Sequence, residues 1–234
     1  MKTTINRRQG FTLVELLVVI MIIAALAALS APMLINQRKQ ADLVTATSNA
    51  RQIGQALLEF DNQYSSYPDQ STAQAVQDAT GTQLSLTGNT SNDMFRQLLA
   101  TGIAPSEELF YVKTPYTKKA DNVFTTADRA LSPGENGFGY LMNGNVAISS
   151  SNSARPIAVT PLLNAQTDGQ FDASTFNAKA IVLRIDNSAV AYTIRPTDKQ
   201  AITPGGSRTL LQTGNDTVWG TDTNPVIIAP QRKN

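Results

Sequence analysis

The 234-residue chain contains no cysteine and no histidine, and only 16% of its residues are charged, against about a quarter in an average soluble domain. These absences exclude disulfide staples, thiol catalysis, Cys/His metal centres, His-dependent triads and imidazole pH switches. A strong charge imbalance is missing as well. Nineteen Lys+Arg stand against eighteen Asp+Glu, a net of +1, so the chain lacks the electrostatic footprint of a nucleic-acid binder. Its length suits one or two domains of roughly 150 residues each, enough to bury a core without disulfides.

What is present is unevenly spread. From Phe11 to Leu29 the sequence reads FTLVELLVVIMIIAALAAL, nineteen residues whose only polar side chains are Thr12 and Glu15. At about 1.5 Å per residue such a helix covers roughly 28 Å, close to the hydrocarbon thickness of a bilayer. The ten residues before it carry Lys2, Arg7 and Arg8 and no acid, which places that end in the cytoplasm by the positive-inside rule, although Arg38 and Lys39 beyond the far end dilute the asymmetry. No second run of this kind follows, so the rest of the chain is expected outside. Glu15 is the anomaly. A carboxylate on an apolar helix costs about 2.5–3.5 kcal/mol at the bilayer centre and less toward the interface. Either Glu15 sits close enough to the cytoplasmic headgroups to stay hydrated, or another copy of the protein supplies a polar partner.

The string RRQG followed by FTLVELLVVIMIIAALAALSAP resembles the class III leader and N-terminal helix of type IV pilins and type II secretion pseudopilins. The match lies in the short basic leader, Gly10 at the cleavage edge, Phe11 as the new N-terminus, Glu15 four residues on, and Pro32 where many members carry a helix-loosening proline. The resemblance implies that a prepilin peptidase cuts between Gly10 and Phe11 and methylates Phe11. It also implies that the apolar helix is kept, and that Glu15 pairs with the Phe11 α-ammonium of a neighbouring subunit during assembly. Partners would then be other pilin copies, the peptidase, the inner-membrane assembly platform and the membrane itself. The subunit would cross the inner membrane once, N-terminus in the cytoplasm, before entering a periplasmic or cell-surface filament. Type IV pilus and secretion pseudopilus are both covered by the likeness. An ordinary secretory signal has an apolar region of only about 7–15 residues and would not contain Glu15. A plain anchor on a periplasmic binding protein or adhesin that does not polymerise explains the length, but neither Gly10-Phe11 nor Glu15.

Beyond Pro32, Leu43, Ala46, Ala50, Ile53, Leu57 and Phe60 are spaced three, four, three, four, three, the stripe of an amphipathic helix. Arg38, Lys39, Asp42, Asn49, Arg51 and Glu59 fall on the other side and are expected in water. The helix is predicted from Phe11 to about Tyr64, kinked or locally melted at Pro32 and closed before Pro68. Tyr67-Pro68 extends the resemblance, because pseudopilins commonly leave the long helix on such a segment. Residues 69–90 read as a loop with one short helix at most. SNDMFRQLLATG reads as an amphipathic helix capped by Ser91 or Asn92 and stopped by Gly102. Strands are expected at Phe138–Met142, at Ile157–Thr160, as a hairpin through KAIVLRIDNSAVAYTIR, and as an edge strand at Val226–Ala229 between two prolines. In that hairpin Asn187 stands where the family usually has Gly, a position it tolerates because Asn accepts φ > 0. The whole implies an α+β, pilin-like fold, a long N-terminal α-helix packed on an antiparallel β-sheet. The expected divisions are 1–10 as leader, 11–31 as transmembrane or filament-core half-helix, 32–67 as amphipathic half and 68–234 as globular domain.

Three motifs are weighed and set aside. Lys113, Lys118 and Lys119 near Tyr111 and Tyr116 form a basic and aromatic patch of the kind that grips phosphates and bases, but they are interleaved with Glu108 and Asp121 and read as a solvated loop, so no nucleic acid is expected. Gly134, Gly137 and Gly139 run GxxGxG with no preceding strand and no following Lys-Ser/Thr, and read as a turn into a strand rather than a phosphate loop. No cofactor is expected. Calcium, which some major pseudopilins bind, is the one ion to consider, through Asp168 and Asp172 in TDGQFDAS; two carboxylates off EF-hand spacing read as a surface loop. No pair of acids is marked out by an apolar setting or a nearby nucleophile, so the chain reads as a structural subunit rather than an enzyme.

Overall fold

A computed structural model describes residues 11–126 and 129–233. They divide into two compact units, one ending at Lys39 and the other running from Gln40 onward. One helix, α1 (Leu13–Tyr64), contributes to both. Its helical assignment is unbroken, so the local melting expected near Pro32 is not found. The proline withholds one N–H from a 52-residue helix, and the bonds on either side carry the ladder across the gap. Ser65, in the left-handed region at φ 59, ends α1 by donating its N–H to the Asp61 carbonyl.

In the larger unit the 3-4-3 stripe does what its spacing predicts. Ala46, Ala50, Ile53, Leu57 and Phe60 are each at most 2% exposed, and Leu43 packs beside them. Of the expected water face, Arg38, Arg51 and Glu59 are exposed, whereas Lys39, Asp42 and Asn49 are only partly so. Asn49 is partly buried, and its Nδ2 donates to the Tyr111 carbonyl at 2.9 Å and the Glu108 carbonyl at 3.3 Å.

Past Pro68 the chain forms α2 (Gln70–Thr80) and α3 (Ser91–Ala100). Asp69 caps α2 and Thr90 caps α3, each in a reciprocal capping box, with Thr72 and Asp93 returning the bond. The α3 cap therefore lies one residue before the predicted Ser91. Nor is α3 half in water. Every residue from Ser91 to Leu99 is buried, because its polar side chains find distant carbonyls: Ser91 donates to Phe138 (2.7 Å), Asn92 to Leu131 (2.7 Å), Arg96 to Ala130 (2.7 Å) and Gln97 to Asp69 (2.7 Å).

The sheet has seven strands, β1 (Gly139–Asn143), β2 (Val146–Ala147), β3 (Pro156–Thr160), β4 (Lys179–Arg184), β5 (Ala189–Ile194), β6 (Ala201–Ile202) and β7 (Pro225–Ile228). All pairings are antiparallel, in the order β2-β1-β3-β4-β5-β6, with β7 joining β1 in the register Leu141↔Ile227. The β4–β5 hairpin turns through Asn187 at φ 62, the left-handed conformation its sequence had to supply. β4 is buried on both faces at Ala180, Ile181, Val182 and Leu183, which is why its sequence is a continuous apolar run. The fold is α+β, a long N-terminal helix with an antiparallel sheet.

Candidate functional site

The start of α1 is fixed by two residues, Thr12 and Glu15. Thr12 donates from its backbone N–H (2.8 Å) and its hydroxyl (2.6 Å) to Glu15 Oε2, and the Glu15 N–H donates back to Thr12 Oγ1 (3.2 Å). This is a capping box, and it satisfies donors that the first turn would otherwise leave open. The pattern Thr-x-x-Glu at 12–15 spells it out in the sequence. Both bonds that the carboxylate accepts fall on Oε2.

Around that box everything is apolar and uncovered. Each residue from Phe11 to Leu29 is exposed, Phe11 at 77% and Leu13 at 84%. The exposed side chains cover all sides of the helix rather than a stripe, continuing through Met33, Leu34 and Ile35. A helix apolar all round needs lipid or other helices about it. An 18-residue window of α1 reaches a mean hydropathy of 2.8 with none of it buried, so the helix is long and apolar enough to cross a membrane. Of the predicted site residues, Phe11 and Glu15 are thus placed at one helix start, four positions apart; Pro32 lies farther along the same helix, and Gly10 lies outside the described residues.

The motifs set aside on sequence find structural uses. Asp168 Oδ1 accepts the Gln170 N–H, and Asp172 accepts from Ser174 and Thr175, so both carboxylates close local turns. Tyr116 is buried; its hydroxyl donates to the Gly137 carbonyl at 3.0 Å, accepts the Leu162 N–H, and is pushed up to about 12 by burial. It offers no face for stacking a base. Lys113 pairs with Asp42 at 3.0 Å and Lys118 with Glu135 at 3.4 Å. Gly134 turns at φ 89 and Gly139 opens β1, the turn-into-strand reading of the three glycines.

The structure also assembles a group that no motif announces. Glu107, Asp121 and Glu135 each bring a carboxylate oxygen within 4.8 Å of the others. Burial pushes the Glu107 carboxyl up, the Leu131 N–H pulls it back, and the charges of Glu135 and Asp121 push it further. Asp121, bonded to the Arg129 guanidinium, is held below the usual carboxylate range.

No curated protein and no solved structure matches the chain. Its N-terminal end does match a known family: residues 5–31 carry the prokaryotic N-terminal methylation motif, the class III prepilin leader of type IV pilins and pseudopilins.

Proposed function

We propose that the chain is a pilin or pseudopilin subunit, cut by prepilin peptidase between Gly10 and Phe11, N-methylated on Phe11, and polymerised through α1. The observation that carries this reading is the conjunction at one helix start: an apolar surface exposed on all sides, with a lone carboxylate held on Thr12 beside the residue that cleavage would make the N-terminus. In the uncut chain Phe11 is an ordinary amide and Glu15 is served by its own cap. Cleavage creates an α-ammonium at Phe11, and a second copy can offer that cation to Glu15 in a dry helix bundle, where an opposite charge replaces water. The N-terminus starts in the cytoplasm, and the helix passes from lipid into the bundle as the inner-membrane platform extracts the subunit. Loss of the leader removes three basic groups, leaving sixteen basic against eighteen acidic side chains, a net of −2.

N-terminal sequencing and intact mass of the native protein should show a start at Phe11 carrying one methyl group. A start at Met1 or near Pro32 would overturn the reading. Glu15→Ala should leave membrane insertion intact and reduce filament yield at least about tenfold, the loss of a charge pair in a dry site; wild-type filament yield would sink the pairing.

A further inference from the structure

Between α3 and β1 the chain runs for nearly forty residues with one short 3-10 turn, Glu107–Phe110, as its only regular element among the described residues. Yet it is well buried: Leu109, Phe110, Val112, Tyr116, Ala130 and Leu131 all belong inside. Acidic side chains take the place of a ladder in holding it. Glu107 Oε1 accepts the Leu131 N–H at 2.5 Å, and Glu135 Oε2 accepts the Ser132 N–H at 2.7 Å. Glu107 is 0% exposed and Glu135 1%.

The other oxygen of Glu107 is the anomaly. Oε2 is buried and has no hydrogen-bond partner. A buried acceptor without a donor is rare in a folded protein, and on a carboxylate it is costlier still. The nearby cations do not answer it. Arg96 is engaged by Asp93 at 2.6 Å and by the carbonyls of Ala130 and Leu131; Lys118, half exposed, reaches Glu135 at 3.4 Å; Arg129 pairs with Asp121 at 2.5 Å. Three carboxylates thus lie within 4.8 Å of one another, and one of them keeps a buried oxygen that draws no donor. The side chain of Asp121 is 37% exposed, so the group borders solvent.

We infer that Glu107, Asp121 and Glu135 form a binding site for a hard divalent cation, with Ca2+ as the ion that fits. The donor set is all oxygen, in a chain with no His or Cys to favour a softer metal. The three oxygens, all within 4.8 Å of one another, can gather about one ion, and Ca2+, which takes six to eight oxygens in flexible geometry, tolerates such an irregular set better than Mg2+, which demands a near-ideal octahedron. Three carboxylates fill part of a shell of six to eight oxygens, and water or backbone carbonyls complete it. The ion would clamp residue 107 to residues 121 and 135, closing the irregular segment as a single loop. This site is separate from Asp168 and Asp172, whose oxygens are spent on turns, and it stands whether or not the chain polymerises.

The test uses the full chain in detergent at pH 7.5, followed by thermal unfolding and calorimetric titration with CaCl2, MgCl2 or EGTA. The wild type should show a saturable rise in Tm with a Ca2+ dissociation constant of about 0.1–1 mM, the range of extracellular sites, and a smaller response to Mg2+. Asp121→Asn, at a partly exposed position where the Asn oxygen can still accept the Val123 N–H, should weaken Ca2+ binding about tenfold or more. Glu107→Gln should raise Tm in EGTA, because it removes a buried charge, and abolish the response to Ca2+. A wild type indifferent to Ca2+ whose stability in EGTA still falls as pH rises would assign the orphan oxygen to a proton shared with Glu135 or Asp121, and overturn the site. Retention of the wild-type Ca2+ midpoint by both variants would overturn it equally.

Discussion

Two stretches of α1 use the same side chains to opposite ends. Between residues 11 and 29 Leu, Ile and Val stand on all sides of the helix and every one is exposed; between residues 43 and 60 the stripe Ala46, Ala50, Ile53, Leu57 and Phe60 is buried, while Val44, off the stripe, stays 59% exposed. Hydrophobicity alone does not decide burial within a chain; periodicity does, because a sheet can cover one stripe and only a surrounding medium can cover a whole circumference. The back of the helix is therefore a core element of the larger unit, while every residue of the front from Phe11 to Leu29 is exposed. Mutations that remove equal apolar volume from the two stretches should separate these roles. The largest effect is expected at Phe60, 0% exposed and stacked on Tyr64 with ring centroids 4.5 Å apart. Phe60→Ala should destabilise the larger unit by about 3–5 kcal/mol in urea unfolding of the detergent-solubilised chain. A loss below about 1 kcal/mol would mean that the stripe is not part of the core.

The contrast sharpens where α1 hands over to the rest of the domain, because there the chain is held by polar bonds. Asp69 caps α2 through the Ser71 and Thr72 N–H groups at 2.8 and 3.1 Å, and its second oxygen accepts the Ala147 N–H of β2 at 3.0 Å. Burial works against its charge, but the bonds from Ser71, Ala147 and Thr72 outweigh burial and hold its carboxyl below the usual range. Asp69→Ala should cost about 1–3 kcal/mol at pH 7, through the lost cap and the stranded amide of Ala147. A lowered folded-state pKa gives a stabilisation that is complete above the ordinary carboxylate value and is lost as pH falls through the depressed one. The gap between wild type and variant should thus be flat from pH 7 to about pH 5 and narrow below pH 4. A gap that widened on acidification would contradict the assignment.

What could be read from the sequence follows the same divide. Period and run length gave away α1, its buried stripe, the β4–β5 hairpin and β7, since each is written in consecutive residues. Even the unusual turn was legible, because Asn187 is a residue that can hold φ 62. The misses are places where a polar residue is satisfied from far along the chain. Asn92, Arg96 and Gln97 look like a water face on a helical wheel, and only the carbonyls of residues 69, 130 and 131 make them interior. Asn49 is drawn in by Tyr111 in the same way. Glu107 and Glu135 share no motif, so nothing local marks them as neighbours. At the N-terminal site the reverse holds: Phe11 and Glu15 stand out as residues, while the Thr12 capping box, though spelled by its spacing, is a local signal overlaid by the apolar run in which it sits.

The smallest expected effect on folding is also the most discriminating. Ile22 is 54% exposed in the apolar run of α1, within the smaller unit. Ile22→Ala removes a side chain comparable in apolar surface to those of the back stripe, yet urea unfolding of the larger unit should shift by less than about 0.5 kcal/mol. Seventeen of the nineteen positions from Phe11 to Leu29 are still apolar, ample for insertion, so the membrane fraction should retain the protein. If the front of the helix ends its life in a helix bundle, the same substitution leaves a cavity between copies, and filament yield should fall although neither folding nor insertion has changed. If lipid is its only partner, lipid chains flow into the space and filament yield should equal wild type. An Ile-to-Ala change that alters nothing in the isolated subunit thus reports on what finally covers the exposed helix.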